Sequence, residues 1–206
     1  MLVMGKNAVR ELLKGTRKIF SVYAVEGFQD KDLINELQRR RVKVTLMNKK
    51  SFSAKFGEKN GGIVCDCEDY QYLTIEELID KTSNKQDSVV LILDGLEDPH
   101  NLGAILRSAD ATGCDGIIIP KNRSVEVNDT VVKVSTGAYE HVDVVKVTNL
   151  NQTIEKLKEN GYWVIGLELT GTMDYKDADY SGKCCLVVGS EGKGISPLVQ
   201  KNCDLL

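Results

Sequence analysis

The stretch Val89-Val90-Leu91-Ile92-Leu93-Asp94-Gly95-Leu96-Glu97-Asp98-Pro99-His100-Asn101-Leu102-Gly103-Ala104-Ile105-Leu106-Arg107-Ser108-Ala109 decides how the second half of this chain is read. Val89 to Leu93 is an unbroken apolar run, the pattern of a strand buried on both faces in a parallel sheet. Asn101 to Thr112 reads as a helix stopped by Gly113, with Leu102, Ile105, Leu106 and Ala109 on its packed side. Asn101 falls at the N-cap or in the first turn, and Arg107 lies about two turns on. Taken alone, Asn101 is a cap and Arg107 a solvated charge. The link Asp98 to Gly103 is unusually polar for a tight strand-to-helix turn, which points away from that bland reading.

Outward from this stretch the chain keeps alternating. Gly116–Ile119, Val142–Val147, Trp163–Leu167 and Cys184–Val188 read as strands, and Asp129–Ser135 and Asn151–Asn160 as helices. Strands separated by helices of this length imply βαβ units and a parallel sheet, where ligands bind at the carboxyl ends of the strands. One such end opens into Gly189-Ser190-Glu191-Gly192-Lys193-Gly194, followed by a helix start at Ser196-Pro197. Glycines let a ligand approach the backbone. The spacing fits neither the Walker loop, which needs a Lys directly after its second Gly, nor the dinucleotide fingerprint, where Pro197 stands in place of a third Gly. An uncharged or cationic small ligand therefore suits the loop as well as a phosphate does. Small residues at Ser135-Thr136-Gly137-Ala138 suggest a second close approach of backbone, or a plain helix C-cap at Gly137.

The first 76 residues read as a separate module of mixed helices and strands, joined by a linker over 77–87 to a domain spanning 88–206; Leu73 to Asp80 can form a short helix there, and Thr82 to Asp87 is polar and turn-like. The net charge of −3 argues for no partner by itself. Its distribution does: residues 1–60 hold 14 Lys and Arg against six Asp and Glu, an excess of +8 that leaves −11 for the rest. A basic front is the footprint of a polyanion-binding module. Lys6, Arg10 and Lys14 recur every fourth residue and line one helix face, and Arg39-Arg40-Arg41 close the next helix. The six cysteines (65, 67, 114, 184, 185, 203) form no C-x-x-C pair and sit among strand-like residues, as buried reduced thiols; with two histidines in the chain, no metal site is expected. No apolar run reaches membrane-spanning length and no secretory leader is seen, so a cytoplasmic location is expected.

Together these segments resemble the SpoU family of RNA ribose methyltransferases, in the SPOUT (TrmH) superfamily, and are similar to the branch that modifies a guanosine of bacterial 23S rRNA. The run from Asn101 to Ala109 matches the first family motif and Gly189–Gly194 the second. Lys133–Ala138 also reads as the family does, and Gly5 to Leu13 looks like the opening of its L30e-like RNA-binding domain. The resemblance implies an α/β architecture: an L30e-like front domain and a parallel-sheet catalytic domain with a trefoil knot. It implies S-adenosylmethionine as cofactor, held around Thr136, Gly137, Leu167, Gly189, Ser190, Glu191, Gly192 and Gly194. It implies RNA, ribosomal RNA first, as the partner of Lys6, Asn7, Arg10, Lys14, Arg39, Arg40 and Arg41, and a homodimer formed through the catalytic domain. The third family motif, Ile-Pro-Met followed by Ser-Leu-Asn, belongs just beyond Cys203-Asp204. The sequence here stops at Leu206, so the knot is incomplete in it and a longer protein is expected.

The implied catalytic residues are Asn101, Arg107 and Glu191, for an in-line attack of a ribose 2′-oxygen on a sulfonium methyl. A guanidinium hardly ever loses its proton. Arg107 is therefore expected to stabilise the developing alkoxide or hold the adjacent phosphate, with Asn101 orienting Arg107 or the ribose and Glu191 pairing with Arg107. Three other readings compete: a transfer-RNA ribose methyltransferase, a non-catalytic RNA-binding or ribosome-assembly protein of the same fold, and an enzyme using the Gly-rich loop for a nucleotide phosphate. Against the last stand the two failed spacings.

Overall fold

The computed structural model describes residues 1–206 as two compact units. The first comprises Met1–Gln71 together with Val127–His141. Its sheet runs in the order β1 (Leu2–Met4), β4 (Ile63–Cys67), β2 (Ile19–Val25), β3 (Val44–Met47), antiparallel except for the parallel β2–β3 pair. Helix α1 (Lys6–Lys14) buries Ala8, Val9, Leu12 and Leu13 along one stripe. Helix α2 (Lys31–Arg39) begins where the Asp30 carboxylate accepts the Leu33 N–H, and α3 (Lys49–Phe56) where Asn48 accepts that of Ser51. Strand β1 has no counterpart in the sequence reading, because three residues are too few to show a period.

Residues 127–141 supply this unit with α6 (Asp129–Ser135) and a 3₁₀ turn (Ala138–Glu140), which bury Val131, Val132 and Tyr139. Their anchor is ionic. Arg17 Nη1 donates to Glu140 Oε1 at 2.8 Å, with 9% and 7% of the two side chains exposed, and Arg17 Nη2 donates to the Glu68 carbonyl. A Cβ on Gly137, whose φ is +110°, would overlap the Glu11 side chain of α1. The close approach suggested by the small residues 135–138 is thus made to Glu11.

The second unit comprises Tyr72–Glu126 and Val142–Leu206. Helix α4 (Ile75–Thr82) starts at a capping box between Thr74 and Glu77 and buries Ile75 and Leu78 in this unit's core. It is the short helix read over Leu73 to Asp80, and it runs into the stretch expected to be a linker. Five parallel strands follow: β5 (Ser88–Asp94), β6 (Gly116–Pro120), β7 (Val144–Val147), β8 (Trp163–Leu167) and β9 (Lys183–Gly189). Helices α5 (Pro99–Thr112), α7 (Leu150–Glu159) and α8 (Pro197–Asn202) complete it. Val90, Ile92, Ile118, Val145, Val164, Cys185 and Val187 share one core with Ile154 and Leu157 of α7. A polar chain crosses that core: Thr82 Oγ1 accepts from the Tyr162 hydroxyl (2.8 Å), which meets Ser88 Oγ (2.7 Å), which donates to Asp115 (2.6 Å). The six cysteines are unpaired, and Cys65, Cys67, Cys184 and Cys185 are buried. Burial pushes the Cys185 thiol well up, and that of Cys203 to about 11.

Strand order in this sheet is β7-β6-β5-β9-β8. From β5 the chain builds outward to β7, then returns on the other side, so the order reverses between β5 and β9. Asp94 and Gly189, the last residues of these two strands, are register partners. A crevice at the carboxyl ends of strands, at such a reversal, is where open α/β sheets bind ligands.

Candidate active site

Two cavities open at this point, and the Gly-rich loop after β9 lines both. The larger, of about 1030 Å3, is walled by the ends of β8 and β9, by residues between 168 and 180, by the loop, and by Leu205 and Leu206. Leu167, Gly189, Ser190, Glu191, Gly192 and Gly194 all line it. The smaller, of about 690 Å3, lies between Asp94–Asp98, Asn101, the turn after β6 and the same loop.

The loop has little freedom. Ser190 and Gly194 exchange backbone hydrogen bonds, and a Cβ on Gly189 would overlap the Gly194 carbonyl carbon. Only glycine fits that position. Two carboxylates from different strand ends then hold consecutive amides at the loop's exit. Ile195 N–H donates to Glu168 Oε2 (3.0 Å), and Ser196 N–H donates to Asp94 Oδ2 (2.7 Å). Glu168 also accepts from Leu169 N–H and from the Gln200 amide. The Ile195 amide first, then that of Leu169, keeps the Glu168 carboxyl below the usual glutamate range.

On the other side of the loop, Asp98 is the cap of α5: its carboxylate accepts the His100 N–H at 2.8 Å, which lowers its pKa, and Pro99 occupies the first helical position. Asn101 is consequently a first-turn residue with its side chain released from capping. Its Nδ2 donates to Glu191 Oε1 at 2.7 Å, joining the first-turn face of α5 to the Gly-rich loop.

The expected Arg107–Glu191 pair is not formed. Glu191 takes Asn101, while Arg107 is exposed and lines neither cavity. Helical geometry explains this: six residues at about 100° each leave Arg107 about 120° around the axis from Asn101, and about 9 Å along it. Thr136 and Gly137, expected at the cofactor, fold with the first unit and line neither cavity. On the basic front, Lys6, Asn7, Arg10 and Lys14 are exposed. Arg10 grips both oxygens of Asp30 (2.7 and 2.9 Å), Lys14 pairs with Glu11, and Arg39 and Arg40 pair with Glu36, whereas Arg41 closes α2 with a φ of +58°. Residues that sequence reasoning passed over are Glu168, Asp94 as a loop anchor, and Arg123 in the turn after β6. The first two act across strand ends far apart in sequence. The only local sign of the third is the polar run Lys121-Asn122-Arg123-Ser124 behind Pro120.

Comparison with known proteins gives the family of the chain. The model of the SpoU rRNA methylase family matches residues 88–206, and that of the RNA 2′-O ribose methyltransferase substrate-binding domain matches residues 2–73. The chain therefore belongs to the SpoU rRNA methylase family, as an RNA methyltransferase with a substrate-binding module in front. A TrmH family tRNA/rRNA methyltransferase of Staphylococcus aureus (strain MSSA476) is 42% identical over 208 residues, covering 98% of this chain and 84% of that protein. One of Bacillus subtilis (strain 168) is 40% identical, covering 99% and 84%. Among solved structures, an AdoMet-bound rRNA methyltransferase from Sinorhizobium meliloti superposes with a TM-score of 0.83 at 24% identity, covering all of this chain and 76% of that one. The SpoU methyltransferase AviRb from Streptomyces viridochromogenes gives 0.84 at 23%, covering 100% and 77%. These two share the fold.

Proposed function

We propose that the protein transfers a methyl group from S-adenosylmethionine to a ribose 2′-hydroxyl of structured RNA, a guanosine of 23S rRNA being the favoured target. The observation that carries this reading is the Asn101–Glu191 bond, which fixes a polar pair on the one loop that lines both cavities. The larger cavity would hold the cofactor. Ile165, Leu186 and Val188 offer apolar walls, and the glycines of the loop bring backbone close. Its charged lining is Glu168, Asp174 and Glu191 against Lys193, which suits a cationic sulfonium and opposes a nucleotide phosphate. When bound, the cofactor supplies an electrophilic methyl.

The chain's own residues supply position. With Nδ2 committed to Glu191, the Asn101 carbonyl oxygen is the end left to accept from a ribose hydroxyl, so the pair orients the nucleophile. The Glu168 and Asp94 anchors keep the dividing loop rigid while both cavities are filled. The basic front unit would grip RNA through phosphates, with steep dependence on salt. A second copy would cover the exposed apolar rim of the larger cavity at Leu167, Leu169, Met173 and Tyr175.

The deciding experiment is methyl transfer from labelled S-adenosylmethionine to ribosomal and transfer RNA by the full-length protein, with the modified nucleotide mapped. Label on a 23S guanosine ribose supports the reading. Label on transfer RNA, or on a base, would replace it. Light scattering tests the dimer.

A further inference from the structure

We infer that Arg123 is an RNA-binding residue of the transfer site, its guanidinium holding a phosphate next to the target ribose; this rests on the smaller cavity being the substrate side.

The charges lining that cavity are Asp94, Glu97, Asp98 and Glu191 against two cations, Lys193 and Arg123. A polyanion can enter an acid-rich cavity only where its phosphates meet cations. Three of the acids are already engaged by the chain itself: Asp94 by Ser196 N–H, Asp98 by His100 N–H, Glu191 by Asn101. Lys193 stands on the dividing loop and lines the larger cavity too, whereas Arg123 lines only the smaller one. Arg107, the cation expected here, lines neither.

The turn that presents Arg123 is pinned at both ends. Lys121 N–H donates to the Val147 carbonyl (2.8 Å), and Val125 N–H donates to the Leu96 carbonyl (2.7 Å). Leu96 belongs to the loop leading into α5, so the turn is fastened to the segment that carries Asn101. Arg123 itself has a φ of +55°, a conformation glycine or asparagine accepts and other side chains rarely adopt. Residues held this way cluster at ligand clamps. A planar fork of donors is the group best matched to a phosphate. Every ribose in RNA is flanked by phosphates, so a cation lining the same cavity as the Asn101–Glu191 pair is placed to meet one when the 2′-hydroxyl is at that pair.

The test uses the full-length protein with Arg123→Gly, which suits the left-handed backbone, and Arg123→Lys, which keeps the charge and loses the fork. Methyl transfer to protein-free 23S rRNA and filter binding of the same RNA are measured from 50 to 200 mM salt, with S-adenosylhomocysteine titrated separately. The expected result for Arg123→Gly is a KM for RNA raised about tenfold, kcat within about twofold, and a log–log salt slope shallower by about one. S-adenosylhomocysteine affinity and thermal midpoint should stay at wild-type values or above, with Arg123→Lys intermediate. Unchanged RNA affinity and slope overturn the assignment. So does a fall in kcat at constant slope, which would move the guanidinium onto the reacting oxygen. If wild-type protein binds RNA but transfers no methyl group, the reaction fails while a shallower slope in Arg123→Gly still makes Arg123 a phosphate ligand.

Discussion

Asn101 and Glu191, 90 residues apart in sequence, meet at 2.7 Å between the first turn of α5 and the Gly-rich loop. Each therefore fixes the other. The carboxylate takes the Nδ2 end of the amide, which leaves the Asn101 carbonyl oxygen as the end free to accept.

Removing either partner should uncouple the pair. Asn101→Ala is expected to lower kcat about 100-fold with little change in cofactor affinity, as misorientation of a nucleophile does. Glu191→Gln, which also takes a carboxylate charge out of the larger cavity, is expected to lower kcat similarly and to weaken cofactor binding as well. The double variant should be little worse than either single one, since the residues act as a unit. Single-turnover methyl transfer and a binding titration separate the two effects.

Arg107 lines neither cavity of its own chain, so if it serves a transfer site, that site is in a second copy. Arg107→Ala and Asn101→Ala proteins should each be nearly inactive, and mixing them after mild dissociation should restore part of the activity. Mixtures no more active than either parent would show that Arg107 does not work across subunits.

The Glu168 carboxylate accepts backbone amides from Ile195 and Leu169, which hold its pKa below the ordinary value. A group depressed on folding contributes its stabilisation fully above the unfolded-state value and loses it as pH falls through the folded one. The loop should accordingly be unaffected at neutral pH and loosen only below the usual glutamate range. Trp163, the sole tryptophan, lies on β8 close to Glu168 in sequence and is half exposed, so its fluorescence reports the change. Glu168→Gln should remove this acid transition.

Arg17 and Glu140 form a nearly buried ion pair within the first unit. Arg17→Met leaves a buried carboxylate alone and should destabilise that unit by about 3–5 kcal/mol. Arg17→Met with Glu140→Leu should recover most of the loss, measured by urea unfolding. Deleting residues 1–71 should also uncover Val131, Val132 and Tyr139, so the truncated chain is expected to aggregate where a cleanly separable module would not.

Local pattern alone determined the parallel second sheet, the basic front and the two segments that meet at the site. Five buried apolar strands and a glycine loop are consequences of near neighbours, and period and composition record them. Even the pinched backbone at Gly137 was signalled by its small residues. Tertiary structure decided which groups face one another. Whether Glu191 takes Asn101 or Arg107 depends on the angle each makes around α5 and on β5 and β9 ending side by side, with Asp94 opposite Gly189. The anchoring of one loop by Glu168 and Asp94, and the inclusion of 127–141 in the first unit, come from contacts between residues far apart in sequence. A single sequence carries no trace of such contacts, because each partner taken alone is an ordinary polar residue at the end of a strand or helix.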